Sequence, residues 1–181
     1  MNPAALLEKY FEHEDALPIV LNHGRSVAAK ALQVARNMGC EGIDLGFLEE
    51  AALLHDIGVC RTNAPKFHCH GSDPYIRHGI IGREILETEG FPRHALVCER
   101  HIGVGLTVAD IRSQDLPLPE REMTPQSLEE KIVCFADLFF SKNPKKLGRE
   151  KTLEDIRKSL SKFGAGKVRI FEGWLREFNY V

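Results

Sequence analysis

Six residues of the chain carry side chains that bind metal ions or transfer protons, and each lies on or beside an apolar stretch. They are His23, His55, Asp56, His78, His101 and Asp137. Imidazole and carboxylate groups together suit Zn, Fe, Mn, Ni or Co ions, whereas a structural zinc site more often uses thiolates. The sequence therefore predicts a transition-metal site.

Asp137 is the most informative of the six because it lies in the most apolar run of the chain, CFADLFF. A buried carboxylate without a partner is costly unless a cation stabilises it or its pKa rises until it is neutral. A hydrogen bond from a helix end or an arginine partner would stabilise the carboxylate of Asp137 equally well. A single histidine on an apolar face is also more often a core residue than a ligand, so the prediction rests on the combination.

Helices must position these residues, since apolar residues recur at three- and four-residue spacing and no convincing run alternates as a strand does. The pattern predicts a compact, all-α, multi-helix bundle. The predicted helices span residues 3–11, 18–39, 44–58, 74–89, 92–101, 125–140, 153–163 and 167–178. Residues 59–73 and 102–123 contain proline and glycine without a regular pattern, so both stretches are predicted to be loops.

Length and composition place the chain among ordinary globular proteins. Its 181 residues are 43% hydrophobic and 28% charged, which fits one domain with a core at about 18–143 and helices at 150–181 packed on it. No apolar run approaches the roughly 20 residues of a membrane span. Five cysteines without CxxC spacing and the lack of a signal peptide favour a cytoplasmic location.

Charge is unevenly distributed along the chain. Residues 141–181 hold 11 Lys and Arg against 5 Asp and Glu, whereas the rest of the chain is acidic. Such a basic segment could bind a phosphorylated ligand. Nucleic acid is an unlikely partner because no block of five like charges and no interleaved aromatic residues accompany the basic residues.

The sequence resembles the HD-domain superfamily of metal-dependent phosphohydrolases, in the variant with a His-Asp-Ile-Gly motif. That motif is His55 to Gly58 here, in the context ALLHDIG, and the resemblance runs from about His23 to Asn143. The family's minimal ligand set has two further positions, which His23 in NHGRSVA and Asp137 in FADLFF match. The resemblance implies a compact helical bundle that holds a metal ion.

A subset of this family holds two metal ions, which the aspartate of the motif bridges. His78 in IRHGIIG and His101 in ERHIGVG match the two further ligands of the second ion. The chain departs from the phosphodiesterase branch, which has lysine where Val59 stands, a Gly-Tyr-Pro motif and a doubled histidine. Cleavage of a cyclic dinucleotide is therefore doubtful.

The resemblance implies hydrolysis of a phosphoester or phosphoanhydride in a nucleotide or another small phosphorylated metabolite. A hydroxide activated by two divalent ions would attack phosphorus, with His55 and Asp56 as the catalytic residues. Basic side chains near the ligands are expected to bind the substrate phosphates: Arg25, Lys66, Arg77, Arg100 and Lys142.

Other functions and details stay open at this stage. Some HD-domain proteins are di-iron oxygenases with nearly the same ligands, and a non-catalytic module that senses nucleotides would share the fold. The segment His68-Cys69-His70 allows an extra metal site, a nucleophilic thiol, a contact to substrate or an ordinary polar loop. The sequence does not fix the substrate, the metal or whether the chain forms a homodimer.

Overall fold

The segments with helical spacing form α-helices in a computed structural model that describes residues 1–11, 15–39 and 41–180. This confirms the all-α class. In that part of the chain the helices are α1 (Pro3–Tyr10), α2 (Ala16–Met38), α3 (Leu45–Leu54), α4 (His78–Thr88), α5 (Pro92–Arg100), α6 (Val108–Ser113), α7 (Leu128–Asp137), α8 (Leu153–Ser161) and α9 (Ala165–Glu177).

Local sequence signals set several of the helix ends. Pro3 opens α1 and Pro92 opens α5, where a missing N–H costs nothing. Asp44 caps α3 as predicted, because its Oδ1 accepts a hydrogen bond from the backbone N of Phe47 at 3.0 Å. Gly39 ends α2 with a left-handed φ of 59°.

The predicted loop at 59–73 contains more regular structure than expected. A 3₁₀ turn (Ile57–Arg61) is followed by two antiparallel strands, β1 (Asn63–Ala64) and β2 (Cys69–His70), with a second 3₁₀ turn (Pro65–Phe67) between them. Strands of two residues are too short to produce an alternating pattern in the sequence. The prediction that this stretch is wholly irregular was therefore wrong.

One further helix and several helix boundaries also differ from the sequence-based prediction: α3 ends at Leu54, α7 ends at Asp137 and α9 begins at Ala165. The second predicted loop contains α6, which begins with a reciprocal capping box between Thr107 and Asp110. A 3₁₀ turn (Tyr75–Arg77) precedes α4, so this helix begins at His78. Finally, α7 begins after Ser127, whose Oγ accepts a hydrogen bond from the N of Glu130, and not at the Thr124-Pro125 pair.

The core lies between helices that are distant in sequence. One apolar cluster joins α2, α3 and α7 with α8 and α9, and a second joins α1, α4 and α5. The ring of Phe135 on α7 lies 5.6 Å from that of Phe171 and 5.2 Å from that of Phe178. The C-terminal helices therefore cover the helix that carries Asp137.

Four cysteines, Cys60, Cys69, Cys98 and Cys134, are free thiols, and Cys40 lies outside the described residues.

Candidate metal centre

Five segments of the fold bring the six predicted ligands together, and the six are called the metal centre below. His23 lies on α2, His55 and Asp56 directly follow α3, His78 begins α4, His101 directly follows α5, and Asp137 ends α7. Ligand atoms of His23, His55 and Asp137 all lie within 4.8 Å of one another, as do those of His55, Asp56 and His101. The structure thus brings together the whole predicted set.

Asp56 lies between two pairs of histidines. Its Oδ2 is 3.3 Å from the Nε2 of His23 and 3.1 Å from the Nε2 of His55. Its Oδ1 is 3.5 Å from the Nε2 of His78 and 3.6 Å from the Nε2 of His101. Each carboxylate oxygen therefore faces a different pair of imidazoles.

Asp137 lies beside the first of these pairs. Its Oδ1 is 2.9 Å from the Nε2 of His23 and 3.5 Å from the Nε2 of His55. We call His23, His55, Asp137 and the Oδ2 of Asp56 the first donor set. The second donor set consists of His78, His101 and the Oδ1 of Asp56.

Hydrogen bonds to the backbone fix the orientation of three imidazoles in the same way. The Nδ1 atoms of His55, His78 and His101 each lie 2.7 Å from the carbonyl oxygen of the residue three positions earlier. A carbonyl oxygen can only accept, so each Nδ1 carries a hydrogen, and in the neutral imidazole each Nε2 has the lone pair. This is the arrangement that metal-binding histidines usually have.

Several buried polar atoms of the centre lack an aligned hydrogen bond to a described residue. These are both ring nitrogens of His23, the Nε2 of His55 and both carboxylate oxygens of Asp56. The Nζ of Lys142 lies 2.7 Å from the Oδ2 of Asp56, yet its direction does not suit a hydrogen bond. Leaving buried polar atoms unsatisfied is costly, and a cation among the lone pairs would satisfy them. The donors thus fit a transition-metal ion.

The electrostatics of the first donor set also favour positive charge. Burial lowers the pKa of His55, but the carboxylates of Asp56 and Asp137 outweigh burial and raise this pKa to about 10. Burial alone would raise the pKa values of the two carboxyls, but His55 and Lys142 hold both well below their usual range. The carboxylates therefore stay ionised, as metal coordination requires.

The second donor set is electrostatically different. Burial, followed by repulsion from His101, lowers the pKa of His78 to about 3. The Nε2 atoms of His78 and His101 are only 3.1 Å apart. A neutral His78 with a free lone pair is a competent metal ligand at ordinary pH.

Two glycines allow the ligand-bearing segments to approach closely. A Cβ on Gly58 would lie 2.0 Å from the carbonyl oxygen of His78 and 2.4 Å from the N of Gly82. A Cβ on Gly24, next to His23, would lie 2.9 Å from the carbonyl oxygen of Leu53. The glycine of the His-Asp-Ile-Gly motif is thus required because the turn after Asp56 packs on the backbone of α4.

Among the predicted phosphate-binding residues, Lys142 is the one that the structure brings to the metal centre. Its Nζ lies 2.7 Å from the Oδ2 of Asp56 and 6.0 Å from the centre of the Tyr75 ring. Burial lowers its pKa, but Asp56, Tyr75 and Asp137 outweigh this and keep the pKa well above its usual value. Lys142 therefore remains an ammonium ion.

The other four predicted residues lie elsewhere, and their binding of substrate stays a prediction. Arg77 contacts Asp73 and the carbonyl oxygen of Pro117, and the Nη1 of Arg100 contacts both carboxylate oxygens of Glu130. Arg25 and Lys66 are exposed. Arg25 follows the buried His23 by two helical positions, which turns it away from the metal centre.

Sequence reasoning did not assign a functional role to Tyr75. Its ring stacks on that of His78 at 4.7 Å with an interplanar angle of 25°. Burial raises its pKa to about 12. The one signal in the sequence is that Tyr75 precedes His78 by three residues. This spacing lets the carbonyl oxygen of Tyr75 accept a hydrogen bond from the Nδ1 of His78.

The segment His68-Cys69-His70 lies outside the metal centre. His68 is exposed, with a left-handed φ of 57°, and its Nδ1 is 3.8 Å from the Oδ2 of Asp15. Burial raises the pKa of the Cys69 thiol to about 11, which argues against an activated nucleophile. Among the described residues, none of the three belongs to a group able to hold a metal ion.

The family model for the HD domain matches residues 5–140, which is most of the chain. The chain belongs to the HD-domain family. This superfamily is known for metal-dependent phosphohydrolases. Membership confirms the resemblance inferred from the sequence and supports a divalent metal as the cofactor.

Known relatives include an uncharacterized protein of Methanocaldococcus jannaschii, 39% identical over 70% of this chain and 73% of its own length. Two further relatives are tRNA (cytidine(56)-2'-O)-methyltransferases. That of Picrophilus torridus is 34% identical over 68% of this chain and 32% of its own length. That of Thermoplasma volcanium is 30% identical over 84% of this chain and 39% of its own length. The chain spans about a third of the length of these two methyltransferases.

No solved structure gives a significant match to the chain. Within the described residues, no helix is both long and apolar enough to cross a membrane.

Proposed function

We propose that the chain is a metal-dependent phosphohydrolase that cleaves a phosphoester or phosphoanhydride of a nucleotide or another small phosphorylated metabolite. The observation that carries the proposal is the position of Asp56, whose two carboxylate oxygens face two different pairs of imidazole Nε2 atoms. A carboxylate placed in this way suits a bridge between two cations. Two divalent ions supply Lewis acidity, which polarises a phosphoryl oxygen and lowers the pKa of a water molecule.

The residues of the chain contribute orientation and charge to this reaction. The backbone carbonyls behind His55, His78 and His101 hold the imidazoles with their Nε2 lone pairs directed inward. Asp56 and Asp137 contribute two negative charges that keep cations in place. Pre-oriented groups of this kind need no rearrangement when charge develops on the phosphoryl oxygens.

Lys142 contributes a positive charge next to the metal centre. Its ammonium group lies against Asp56 and close to the ring of Tyr75, where water is largely excluded. We propose that it binds a phosphate oxygen of the substrate and stabilises the charge that develops there. Its neighbours Lys145 and Lys146 are exposed and follow it in the same basic segment.

Methyl transfer is not proposed for this chain, although two relatives are named for it. The match to the Thermoplasma volcanium protein covers 84% of this chain but only 39% of that relative. Most of the relative therefore lies outside the shared segment, and that remainder can carry the methyl transfer. We propose that the shared segment is a metal-binding domain.

A panel of phosphoesters and nucleoside polyphosphates, tested with Mn, Fe, Co and Ni, examines this proposal. We expect turnover that requires metal and that falls roughly 100-fold in Lys142→Met, since removal of one group that stabilises transition-state charge costs about 100- to 1,000-fold. Lys145→Met, an exposed lysine of the same segment, is the matched control and should retain full activity.

The outcome that contradicts the proposal is an absence of turnover by the metal-loaded protein across the panel. Oxygen consumption that depends on iron would instead assign the chain to the di-iron oxygenases. Tight nucleotide binding without turnover would assign it to the nucleotide sensors.

A further inference from the structure

An apolar pocket of about 270 Å³ lies between residues 102–116 and the hairpin formed by α8 and α9. We call it the hairpin pocket. Its walls are almost entirely apolar, with side chains from Ile76, Ile102, Val104, Leu106, Leu116 and Leu160. The volume is close to the lower end of the range for small-molecule sites, about 300 Å³.

The hairpin pocket adjoins the second donor set along the chain. Ile102 directly follows His101, and Ile76 directly follows Tyr75, whose ring stacks on His78. Residues that border the pocket are therefore next to residues that surround the Oδ1 of Asp56.

The C-terminal hairpin closes the pocket from a part of the chain that the family match does not include. The match ends at residue 140, whereas Leu160, Phe163 and Lys167 all line the pocket. Lys167 fixes the hairpin in place, because its Nζ donates to the carbonyl oxygen of Gly105 at 2.7 Å and to the Oδ2 of Asp110 at 2.6 Å. These bonds also occupy the ammonium group, so the pocket does not offer a free charge there.

Two side chains that line the pocket are exposed to solvent. Phe163 is 59% exposed although it is a large apolar residue. Gln114 is exposed, and its side-chain amide forms no hydrogen bond with a described residue. An exposed aromatic ring offers a stacking surface, and a free amide offers both a donor and an acceptor.

We propose that the hairpin pocket binds a planar heteroaromatic ring, namely the base of a nucleotide whose phosphate reaches the metal centre. This proposal rests on the proposed function for the identity of the substrate. Phe163 stacks on the face of the base, and the Gln114 amide pairs with its polar edge. The apolar walls exclude water from the ring, and the C-terminal hairpin thereby becomes the element that selects the substrate.

Calorimetric titration with adenosine, guanosine, cytidine and uridine tests the pocket without any need for turnover. Stacking on an aromatic side chain is worth enough that its removal should weaken binding of every base about tenfold, so we expect this loss in Phe163→Ala. In Gln114→Ala we expect the order of preference among the four bases to change. Ile170→Ala is the matched control, since Ile170 is an exposed apolar residue of the same hairpin and does not line the pocket.

The phosphoester panel provides a second readout that separates the two proposals. With a nucleotide substrate, Phe163→Ala should raise KM about tenfold and leave kcat unchanged, while turnover of glycerol phosphate, which has no ring, stays the same. If the wild type binds no nucleoside, or if Phe163→Ala binds them as the wild type does, the pocket assignment is overturned even where hydrolysis is found. Nucleoside binding that Phe163→Ala weakens supports the pocket even where the panel shows no turnover.

Discussion

Replacing His78 with alanine should remove one metal ion from the centre and leave the other in place. His78 belongs to the second donor set, and its Nε2 lies 3.5 Å from the Oδ1 of Asp56 and 3.1 Å from the Nε2 of His101. The first donor set keeps all of its atoms in this variant. We therefore expect about two equivalents of metal per wild-type chain and about one per His78→Ala chain.

The loss of one metal ion should also lower the thermal stability of the protein by a predictable amount. An ion present at 100 times its dissociation constant stabilises the fold by about 2.7 kcal/mol. For a chain of this length each kcal/mol shifts Tm by about 2–4 °C, so each ion contributes roughly 5–11 °C. Removing metal with a chelator should therefore lower Tm about twice as far in the wild type as in His78→Ala.

Elemental mass spectrometry and thermal denaturation with and without EDTA supply the two measurements. His94→Ala is the matched control, since His94 is also a buried histidine, lies on α5 and pairs with Glu50 away from the metal centre. It should keep the wild-type metal content and the wild-type response to the chelator. If His78→Ala retains as much metal as the wild type, His78 does not hold a metal ion and the second donor set is refuted.

Two more predictions concern the packing and the pH response. Gly58→Ala should destabilise the fold by about 1–3 kcal/mol in urea unfolding because its Cβ would collide with the carbonyl oxygen of His78, whereas Gly173→Ala, which has open space, should not destabilise it. Burial alone would raise the pKa of Asp110, but hydrogen bonds from Lys167 and Thr107 hold it below its usual 3.8. Because the pKa of Asp110 is lower in the folded state, the ionised carboxylate stabilises the fold at pH values above 3.8. This stabilisation is lost as the pH falls through the pKa of the folded state. The difference in urea midpoint between wild type and Asp110→Asn should therefore shrink in acid. A difference that grows as pH falls would contradict this.

The sequence was sufficient to predict which residues come together at the centre because their types are rare on apolar faces. His23 lies on the inner stripe of a helix and is buried, and Asp137 lies in an apolar run and keeps 17% of its side chain exposed. The order of these residues along the chain also matched a known family. The helical class followed from the spacing of apolar residues, which is a local property.

Features that depend on contacts between distant segments could not be read in the same way. The hairpin of Asn63–Ala64 and Cys69–His70 is too short for any periodic signal. The position of Lys142 against Asp56 depends on how the chain turns after α7, and in the sequence Arg25 and Lys66 are equally good candidates. Arg100 was also predicted to bind phosphate, but it forms a salt bridge with the buried Glu130 of another helix.

The two donor sets become complete at different stages of chain synthesis. The second set needs only residues between Asp56 and His101, whereas the first set joins His23 to Asp137. A nascent chain that has emerged as far as His101 thus holds every atom of the second set, while the first set is incomplete until α7 follows. Because a metal ion stabilises whatever fold gathers its ligands, we expect an ion to bind the second set before α7 completes the first.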